Sequence, residues 1–249
     1  IGNPMTLNPV AYYPLGDQDV FNGSSYLTPN ASLKDYVFDF SVSGNGYITI
    51  PDSTTLEPQN LTVSFWVNAG TQGNNFTYFL EKGNWSYAVY TGTTTTDLLF
   101  FIYDGSSYPL SNALTNALDS NWHHIAFTYD GSQIIGYKDG VANTPVSASA
   151  TILYDANPLR LFSRAPSVGN YPSGKMDELA IWNTALSPAQ VLEIYNNGKP
   201  SNLSTFSGTA PISWWRLGEN AYFDNNAFVV PNSITGAPNG TGSGTITTM

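Results

Sequence analysis

Apolar and polar residues alternate along most of this chain. In the segment LTVSFWVNA, residues 61–69, every second position is apolar, which is the period of a β-strand with one buried face. Further β-branched and aromatic runs follow as far as residue 164, and they end in turn residues such as Asp130-Gly131 and Asp139-Gly140. The pattern predicts an all-β protein, an antiparallel β-sandwich of the jelly-roll type.

One segment has helical spacing instead. In LSPAQVLEIYNNGKP, residues 186–200, Ser187 can cap a helix, Pro188 suits its first position and Gln190 completes a capping box. We expect one short C-terminal helix of about three turns. Gly198 would end it in the left-handed conformation. The residues that follow, 201–210, have the composition of a linker.

The sequence near the start of the chain is repeated near its end. Residues 9–30 align without a gap with residues 211–232, at an offset of 202 residues and with six identical positions. Tyr12-Tyr13 corresponds to Trp214-Trp215, and Asp17 to Glu219. We therefore predict a jelly-roll domain over residues 1–200, a linker over 201–210, and a second opening segment over 211–249. That segment begins a further repeat or forms an arm between subunits.

The second opening segment is rich in large apolar residues. It carries Trp214, Trp215, Leu217 and Phe223, and an isolated strand of this kind would expose an apolar patch and unpaired backbone groups. We expect these four residues to be assembly contacts that pack on something outside residues 9–199. The candidates are a neighbouring copy, a partner protein and a continuation of the chain.

Composition excludes several classes of partner. The 249 residues carry a formal net charge of −10, which would repel the phosphates of nucleic acid. The absence of cysteine excludes disulfides and thiolate metal sites. The sequence has no run of about 18 apolar residues, so we expect no membrane span.

Two longer motifs resemble a known family. NWHHIAFTYDGSQIIGYKDGVAN, residues 121–143, and GKMDELAIWNTALSPAQVLEIYNNG, residues 174–198, are similar to motifs of laminin G-like (concanavalin A-like lectin/glucanase) jelly-roll domains. The resemblance covers residues 9–199 and implies two curved antiparallel sheets with a concave surface that many relatives use for sugars or protein partners. The repeated opening and the acidic, cysteine-free composition also resemble repeated units in structural proteins of marine bacteriophages.

The residues do not favour catalysis. Glucanases that share this fold carry a Glu-x-Asp-x-Glu motif, which places two carboxylates about 5 Å apart. That motif is absent, and the adjacent Asp177 and Glu178 would point to opposite faces of a strand. The only two histidines, His123 and His124, are likewise neighbours. We therefore expect no catalytic residues and no enzymatic activity.

Aromatic residues are the candidates for sugar binding, because their rings stack on the apolar faces of pyranoses. The candidates are Trp85, Tyr87, Tyr90, Tyr103 and Tyr108. Alternation places Trp85 and Tyr87 on one face of a strand and Tyr90 on the other. One of these faces must belong to the core, and the sequence does not decide which.

The family resemblance also implies a structural calcium ion where the closing strand meets the N-terminal segment. The matching positions are Asp177 on the closing strand and Gly16 or Asp17 on the opening strand. Calcium prefers hard oxygen ligands of this type. The alternative is that Asp177 only forms hydrogen bonds with loop amides at the edge of the sheet.

These features together predict a non-catalytic surface or structural module of a larger assembly. The first interpretation is a decoration, fibre or adhesion protein of a phage virion, which also binds cell-surface glycans. Its partners would be repeated copies and other virion or surface subunits, and its location the virion surface or the extracellular space. The alternative is a carbohydrate-binding module of a secreted bacterial protein.

Overall fold

The computed structural model describes residues 20–21, 26–27, 37–41, 45–106, 110–165, 167–219, 221–224, 227–244 and 246–248. Within these ranges the chain forms two large β-sheets, a separate small hairpin and one α-helix. Strands are numbered β1 to β20 in chain order, and each strand pairing within the described ranges is antiparallel. The predicted all-β antiparallel sandwich with a single helix is confirmed.

The first sheet has the order β12 (Val141–Ala142), β11 (Gln133–Lys138), β10 (Trp122–Tyr129), β5 (Leu61–Asn68), β15 (Lys175–Trp182), β3 (Phe38–Asp39) and β20 (Thr247–Thr248). Two short strands join it, β13 (Val146–Ser147) beside β11 and β16 (Ser213–Trp215) beside β15.

The second sheet has the order β17 (Tyr222–Asp224), β18 (Ala227–Val230), β19 (Gly240–Ser243), β4 (Tyr47–Ile50), β14 (Leu159–Leu161), β6 (Tyr78–Lys82), β7 (Tyr87–Tyr90), β8 (Leu98–Ile102) and β9 (Leu110–Leu114). The separate hairpin consists of β1 (Val20–Phe21) and β2 (Tyr26–Leu27).

The two sheets pack face to face over one apolar core. Phe65 and Phe127 enter it from the first sheet, and Phe79 and Phe100 from the second. The rings of Phe100 and Phe127 stack with their centroids 5.3 Å apart. Full burial of such a side chain contributes about 1.5–3 kcal/mol. Burial of the apolar side chains of the alternating pattern therefore stabilises the packing of the two sheets.

The helix α1 (Pro188–Tyr195) covers the outer face of the first sheet. Its capping box forms as predicted, because the Gln190 N–H donates to Ser187 Oγ at 3.3 Å and the Ser187 N–H donates to Gln190 Oε1 at 2.9 Å. The helix ends earlier than expected, since Asn196 already takes the left-handed conformation at φ 49°. Asparagine tolerates this conformation better than most residues, so Gly198 is not needed as the cap.

The second opening segment completes this sandwich. β16 pairs with β15, and β19 pairs with β4. Trp215 is fully buried in the core between the sheets, Leu217 is 1% exposed and Trp214 packs in the cluster under the helix. This corrects the expectation that these three residues contact something outside residues 9–199. Their apolar character indicates that these residues must be buried. It does not indicate that strands of the same sandwich bury them.

The remaining parts of the C-terminal region are also in contact with the sandwich. Phe223 lies on β17 and is 42% exposed, unlike the three buried residues before it. In the expected linker, Leu203 is buried in the cluster under the helix, and the Thr209 carbonyl accepts a hydrogen bond from Trp182 Nε1 at 2.9 Å. The expected linker thus contacts the sandwich through Leu203 and Thr209, although most of its residues are exposed.

Candidate functional site

The outer face of the second sheet carries five clustered aromatic residues. We call this cluster the aromatic face: Tyr78, Trp85, Tyr90, Phe101 and Tyr103. The Trp85 ring meets the rings of Phe101 and Tyr103 edge to face, at 6.2 Å in both cases. The Tyr90 ring lies 5.3 Å from Phe101 and stacks on Tyr78 at 5.6 Å. Such contacts hold aromatic rings in fixed orientations.

The aromatic face has a buried floor and an accessible rim. Tyr78 and Phe101 are 7% and 3% exposed and form the floor, whereas Trp85, Tyr90 and Tyr103 are half-buried and reach solvent. The ring of Trp85 reaches solvent, but its indole N–H is buried and has no hydrogen-bond partner within the described residues. Fixed rings that remain partly accessible are suited to stacking against a ligand.

Trp85 joins this face because it lies in a turn. The turn between β6 and β7 holds Trp85 at φ 77°, a left-handed conformation that is costly for a bulky residue. The strand alternation therefore does not extend to Trp85, and its ring lies on the same side as Tyr90. This corrects the prediction that Trp85 shares a face with Tyr87.

Tyr87 belongs to the core. It is fully buried between the sheets, and its hydroxyl donates to the carbonyl of Leu56 at 3.3 Å. Burial raises the pKa of the Tyr87 hydroxyl above its usual value. Tyr87 therefore cannot touch a sugar, which answers the question of which face is core. Tyr108 lies outside the described residues.

A buried carboxyl lies beside the aromatic face. Glu81 is fully buried on β6, and its Oε2 accepts the Ala165 N–H at 2.6 Å and forms an ion pair with Arg164 Nε at 3.9 Å. Its Oε1 has no hydrogen-bond partner within the described residues. Burial raises the pKa of Glu81 to about 7, against the lowering effects of the Ala165 hydrogen bond and the Arg164 charge.

The sequence did not identify Glu81 or Tyr78 as site residues. A register shift between Tyr78 and Leu80 lets Phe79 and Leu80 both face the core, while Tyr78 packs on the outer face. Strict alternation cannot place Tyr78 and Glu81 correctly, because a β-bulge inserts one residue into the pattern. Arg164 adds to the same surface, with its guanidinium 5.5 Å from the Tyr78 ring.

A second candidate site lies where β15 meets the second opening segment. Carboxylate oxygens of Asp177, Glu178 and Glu219 lie within 4.8 Å of one another, so this group could hold a metal ion. Asp177 and Glu178 come together because β15 has a register shift between Asp177 and Ala180, with Glu178 at φ 51°. This corrects the prediction that they point to opposite faces, which holds only for a regular strand.

The acidic group already contacts two donors from the second opening segment. Arg216 Nε donates to Glu178 Oε1 at 3.1 Å, and Arg216 Nη2 donates to Glu219 Oε1 at 3.0 Å. Trp214 Nε1 donates to Glu178 Oε2 at 2.5 Å. Although burial alone would lower the pKa of Arg216, the charges of Glu219 and Glu178 raise it overall.

Of the three predicted metal ligands, Asp177 lies in the acidic group. Gly16 and Asp17 lie outside the described residues. Glu219, which the sequence did not single out, occupies the position that corresponds to Asp17 at the offset of 202 residues. The repeat was therefore the signal that could have identified it.

The acidic group offers little room for a sugar. The adjoining cavity, lined by Ser64, His124, Glu178 and neighbours, has a volume of about 10 Å³, roughly the space of one water molecule. The aromatic face is thus the more accessible of the two candidate sites.

Within the described ranges, no helix is long and apolar enough to cross a membrane.

Two antiparallel sheets packed face to face over one core define a β-sandwich of the jelly-roll type. Residues 42–192 match the family model described as the concanavalin A-like lectin/glucanases superfamily, which is more than half of the chain. The chain belongs to this family. No curated protein sequence shows a significant match.

Solved structures share the fold at low sequence identity. A Bacteroides ovatus protein to which carbohydrate binding has been ascribed is 20% identical, with a TM-score of 0.65, and the match covers 86% of this chain and 59% of that one. The receptor binding domain of botulinum neurotoxin C/D mosaic serotype is 12% identical, with a TM-score of 0.54 and coverage of 89% and 64%. A heptameric pentraxin from Limulus polyphemus is 14% identical, with a TM-score of 0.50 and coverage of 72% and 91%. This chain spans less than two thirds of the first two structures, and these likenesses concern the fold alone.

Proposed function

We propose that this protein is a non-catalytic carbohydrate-binding module, and that the aromatic face is its binding surface. The observation that carries the proposal is the position of Trp85, Tyr90 and Tyr103, which remain half-buried above the floor formed by Tyr78 and Phe101. A pyranose ring presents C–H groups on one face and hydroxyls around its edge. Aromatic rings complement the former, and a few directed polar groups complement the latter.

Polar groups beside the rings support a saccharide rather than an apolar ligand. Arg164 lies against Tyr78, with its guanidinium 5.5 Å from the ring, and its side chain is 28% exposed. Sugar hydroxyls can accept from this guanidinium and can donate to tyrosine oxygens. A lipid or an aromatic compound would cover the guanidinium without accepting a hydrogen bond from it, which costs free energy.

One structural neighbour supports this choice of ligand class. Carbohydrate binding is ascribed to the Bacteroides ovatus protein, whereas the botulinum neurotoxin domain is described as binding a receptor. The family itself includes lectins as well as glucanases. The absence of a Glu-x-Asp-x-Glu motif supports the lectin branch of that description.

A glycan array with the protein displayed in many copies tests the proposal, because linked copies raise the effective concentration of weak sites. We expect retention on one class of polysaccharide, and about a fivefold loss of affinity for Trp85→Ala and for Tyr90→Ala, since one stacked ring contributes about 1 kcal/mol. Trp122→Ala is the matched control, because Trp122 is 38% exposed on the other sheet. No retention on any polysaccharide, or an equal loss for Trp122→Ala, would contradict the proposal.

The proposed setting of the module is an extracellular surface, with a virion surface as the first candidate. The acidic, cysteine-free sequence, which resembles structural proteins of marine bacteriophages, supports this setting. A secreted bacterial protein that carries the module beside an enzyme is the alternative setting. Immunogold labelling of purified phage particles distinguishes them, because the virion setting predicts label on the particle and the alternative predicts none.

Calcium is the ion that we propose for the acidic group. Asp177, Glu178 and Glu219 offer only oxygen ligands, which calcium prefers. An ion here would compete with Arg216, which is bonded to Glu178 and Glu219.

Thermal melts with and without a chelator test the ion. A site filled at a hundred times its dissociation constant adds about 2.7 kcal/mol, which corresponds to roughly 5–10 °C for a domain of this size. Chelator should lower the melting temperature by that amount, and Asp177→Asn should abolish the effect. Identical melts with and without chelator would exclude a bound calcium.

A further inference from the structure

One lysine is completely buried in the second sheet. Lys82 is the last residue of β6, and its side chain is 0% exposed. Within the described residues it is the single lysine or arginine that is buried, and lysine is almost never fully buried without a partner. The Tyr154 ring lies over the amine, with its centroid 5.8 Å from Lys82 Nζ. The interior thus holds a primary amine, which is a nucleophile when it is neutral.

Four oxygen atoms surround the Lys82 amine. Asp52 Oδ1 lies 2.8 Å from Nζ, and Glu57 Oε1 lies 3.7 Å from it. Nζ also donates to the carbonyl oxygens of Asn157 and Asp155, at 3.0 and 3.1 Å. The amine therefore contacts one carboxyl group directly and has a second carboxyl group beside it.

The two carbonyl groups orient the amine toward Asp52. An ammonium group has three N–H donors, whereas a neutral amine has two and a lone pair. When the third proton passes to the Asp52 carboxylate, the other two N–H groups stay on the carbonyls of Asp155 and Asn157. The lone pair then faces the Asp52 carboxyl group, whose carbon is bonded to the contacting oxygen. Burial favours this neutral pair, because an ion pair loses its hydration.

We propose that Lys82 and Asp52 form an amide bond within the chain, an isopeptide cross-link, and that Glu57 transfers the protons. Lys82 Nζ attacks Asp52 Cγ, and Glu57 takes a proton from the nitrogen of the tetrahedral intermediate. Glu57 then gives this proton to the departing hydroxyl, which leaves as water. One N–C bond forms and one C–O bond breaks, so the step needs no oxidant, reductant or further reactant.

The surroundings suit both halves of this reaction. Fixed contact between amine and carboxyl replaces an encounter in solution, which greatly raises the rate of such condensations. The side chains of Asp52 and Glu57 are 32% and 24% exposed, so the released water has a path to solvent. Lys82 is covered, and water therefore has little access to the amide from its side.

The cross-link joins two strands that do not pair with each other. Leu159 on β14 lies opposite Ile50 of β4 on one side and opposite Lys82 of β6 on the other. Asp52 lies just after β4, so the amide spans β14 and closes the chain between residues 52 and 82. A covalent link of this kind restricts the unfolded chain and so stabilises the fold. The proposal does not depend on glycan binding.

Intact-protein mass spectrometry of the full chain under denaturing conditions tests the cross-link. We expect a mass lower than that of the sequence by one water, and a proteolytic digest in which residues 52 and 82 occur in one branched peptide. Lys82→Arg keeps the positive charge, Asp52→Ala removes the carboxyl group, and both variants should have the full mass. Lys138→Arg is the matched control, because Lys138 forms an ion pair with Asp119 at 3.9 Å and is partly exposed. This control should still lose the water.

Glu57→Gln tests the transfer of protons. Glutamine has nearly the same size but does not accept a proton from the intermediate, so the freshly purified variant should have the full mass. Complete loss of water in Glu57→Gln would overturn the role of Glu57.

Two further results would overturn the cross-link itself. One is the full sequence mass in the wild-type protein, which would leave Lys82 and Asp52 as an ion pair. The other is a loss of water that persists in Lys82→Arg, which would mean a cyclic imide at an Asp-Gly or Asn-Gly step. Hydroxylamine cleaves the chain at such an imide but leaves an amide intact. The branched peptide of the wild-type protein decides the matter even if a variant fails to fold.

Discussion

At the scale of single residues, burial decides what each candidate can do. Trp85, Tyr87 and Tyr90 are all aromatic and near in sequence, yet Tyr87 is fully buried while the other two are half-buried. Glu81 shows the same effect on an ionisable group, because burial disfavours the charged carboxylate. The sequence identifies these side chains. Their exposure depends on the turn between β6 and β7 and on the β-bulge in β6, which no single residue indicates.

The raised pKa of Glu81 predicts a dependence of stability on pH. The folded state holds this proton up to a pKa of about 7, whereas an unfolded chain releases it near 4.5. Between these values the folded state binds more protons, so the free energy of unfolding falls as pH rises and becomes constant above the folded pKa.

Denaturant unfolding between pH 4 and 8.5 tests this dependence. Glu81→Gln keeps an acceptor for the Ala165 N–H but has no charge, so it should flatten the profile and stabilise the protein above pH 7 by roughly 2–3 kcal/mol. Asp224→Asn is a control, because Asp224 is exposed on β17. An unchanged slope in Glu81→Gln would show that Glu81 is not the group responsible.

At the scale of elements, regular strands and the start of the helix could be predicted from the sequence, whereas the irregular parts of strands could not. Alternation identified β5, and the capping box identified the start of α1 at Ser187. The register shifts in β6 and β15 could not be read, because a bulge depends on pairing with the neighbouring strand. Those two shifts place Tyr78 on the outer face and bring Asp177 near Glu178. Both candidate sites thus depend on the irregular part of a strand.

The turn between β6 and β7 offers a prediction for an element. Gly83 has φ 68°, and a Cβ there would lie 2.5 Å from Ser86 Oγ and 2.8 Å from Asp155 Oδ1. Gly83→Ala should shift the turn that carries Trp85, destabilise the protein by more than about 1 kcal/mol and weaken glycan retention. Gly73→Ala is the matched control, because a Cβ at Gly73 meets nothing within 4 Å. Equal melting temperatures and retention for both variants would contradict this role of the turn.

At the scale of the whole molecule, the sequence predicted the sandwich and its family but not the place of its C-terminal region. Strand order depends on contacts between residues far apart in sequence, such as the pairing of Trp215 with Leu179, and the local sequence pattern carries no information on them.

The net charge of the protein predicts a preference among ligands. At −10, the protein repels anionic partners, so neutral glycans should be retained more strongly than sialylated or sulfated ones.

The central claim is that a saccharide binds the aromatic face. The most direct test is a titration of the neutral oligosaccharide that ranks first on the glycan array, followed in the nitrogen–proton correlation spectrum of the labelled protein. The chain has six tryptophans, and their indole N–H signals report on separate regions of the fold. We predict that the Trp85 signal shifts with increasing ligand, while the signals of Trp122 on the other sheet and of the buried Trp215 stay in place. A shift of Trp122 or Trp214 without a shift of Trp85 would place the ligand elsewhere and contradict the claim.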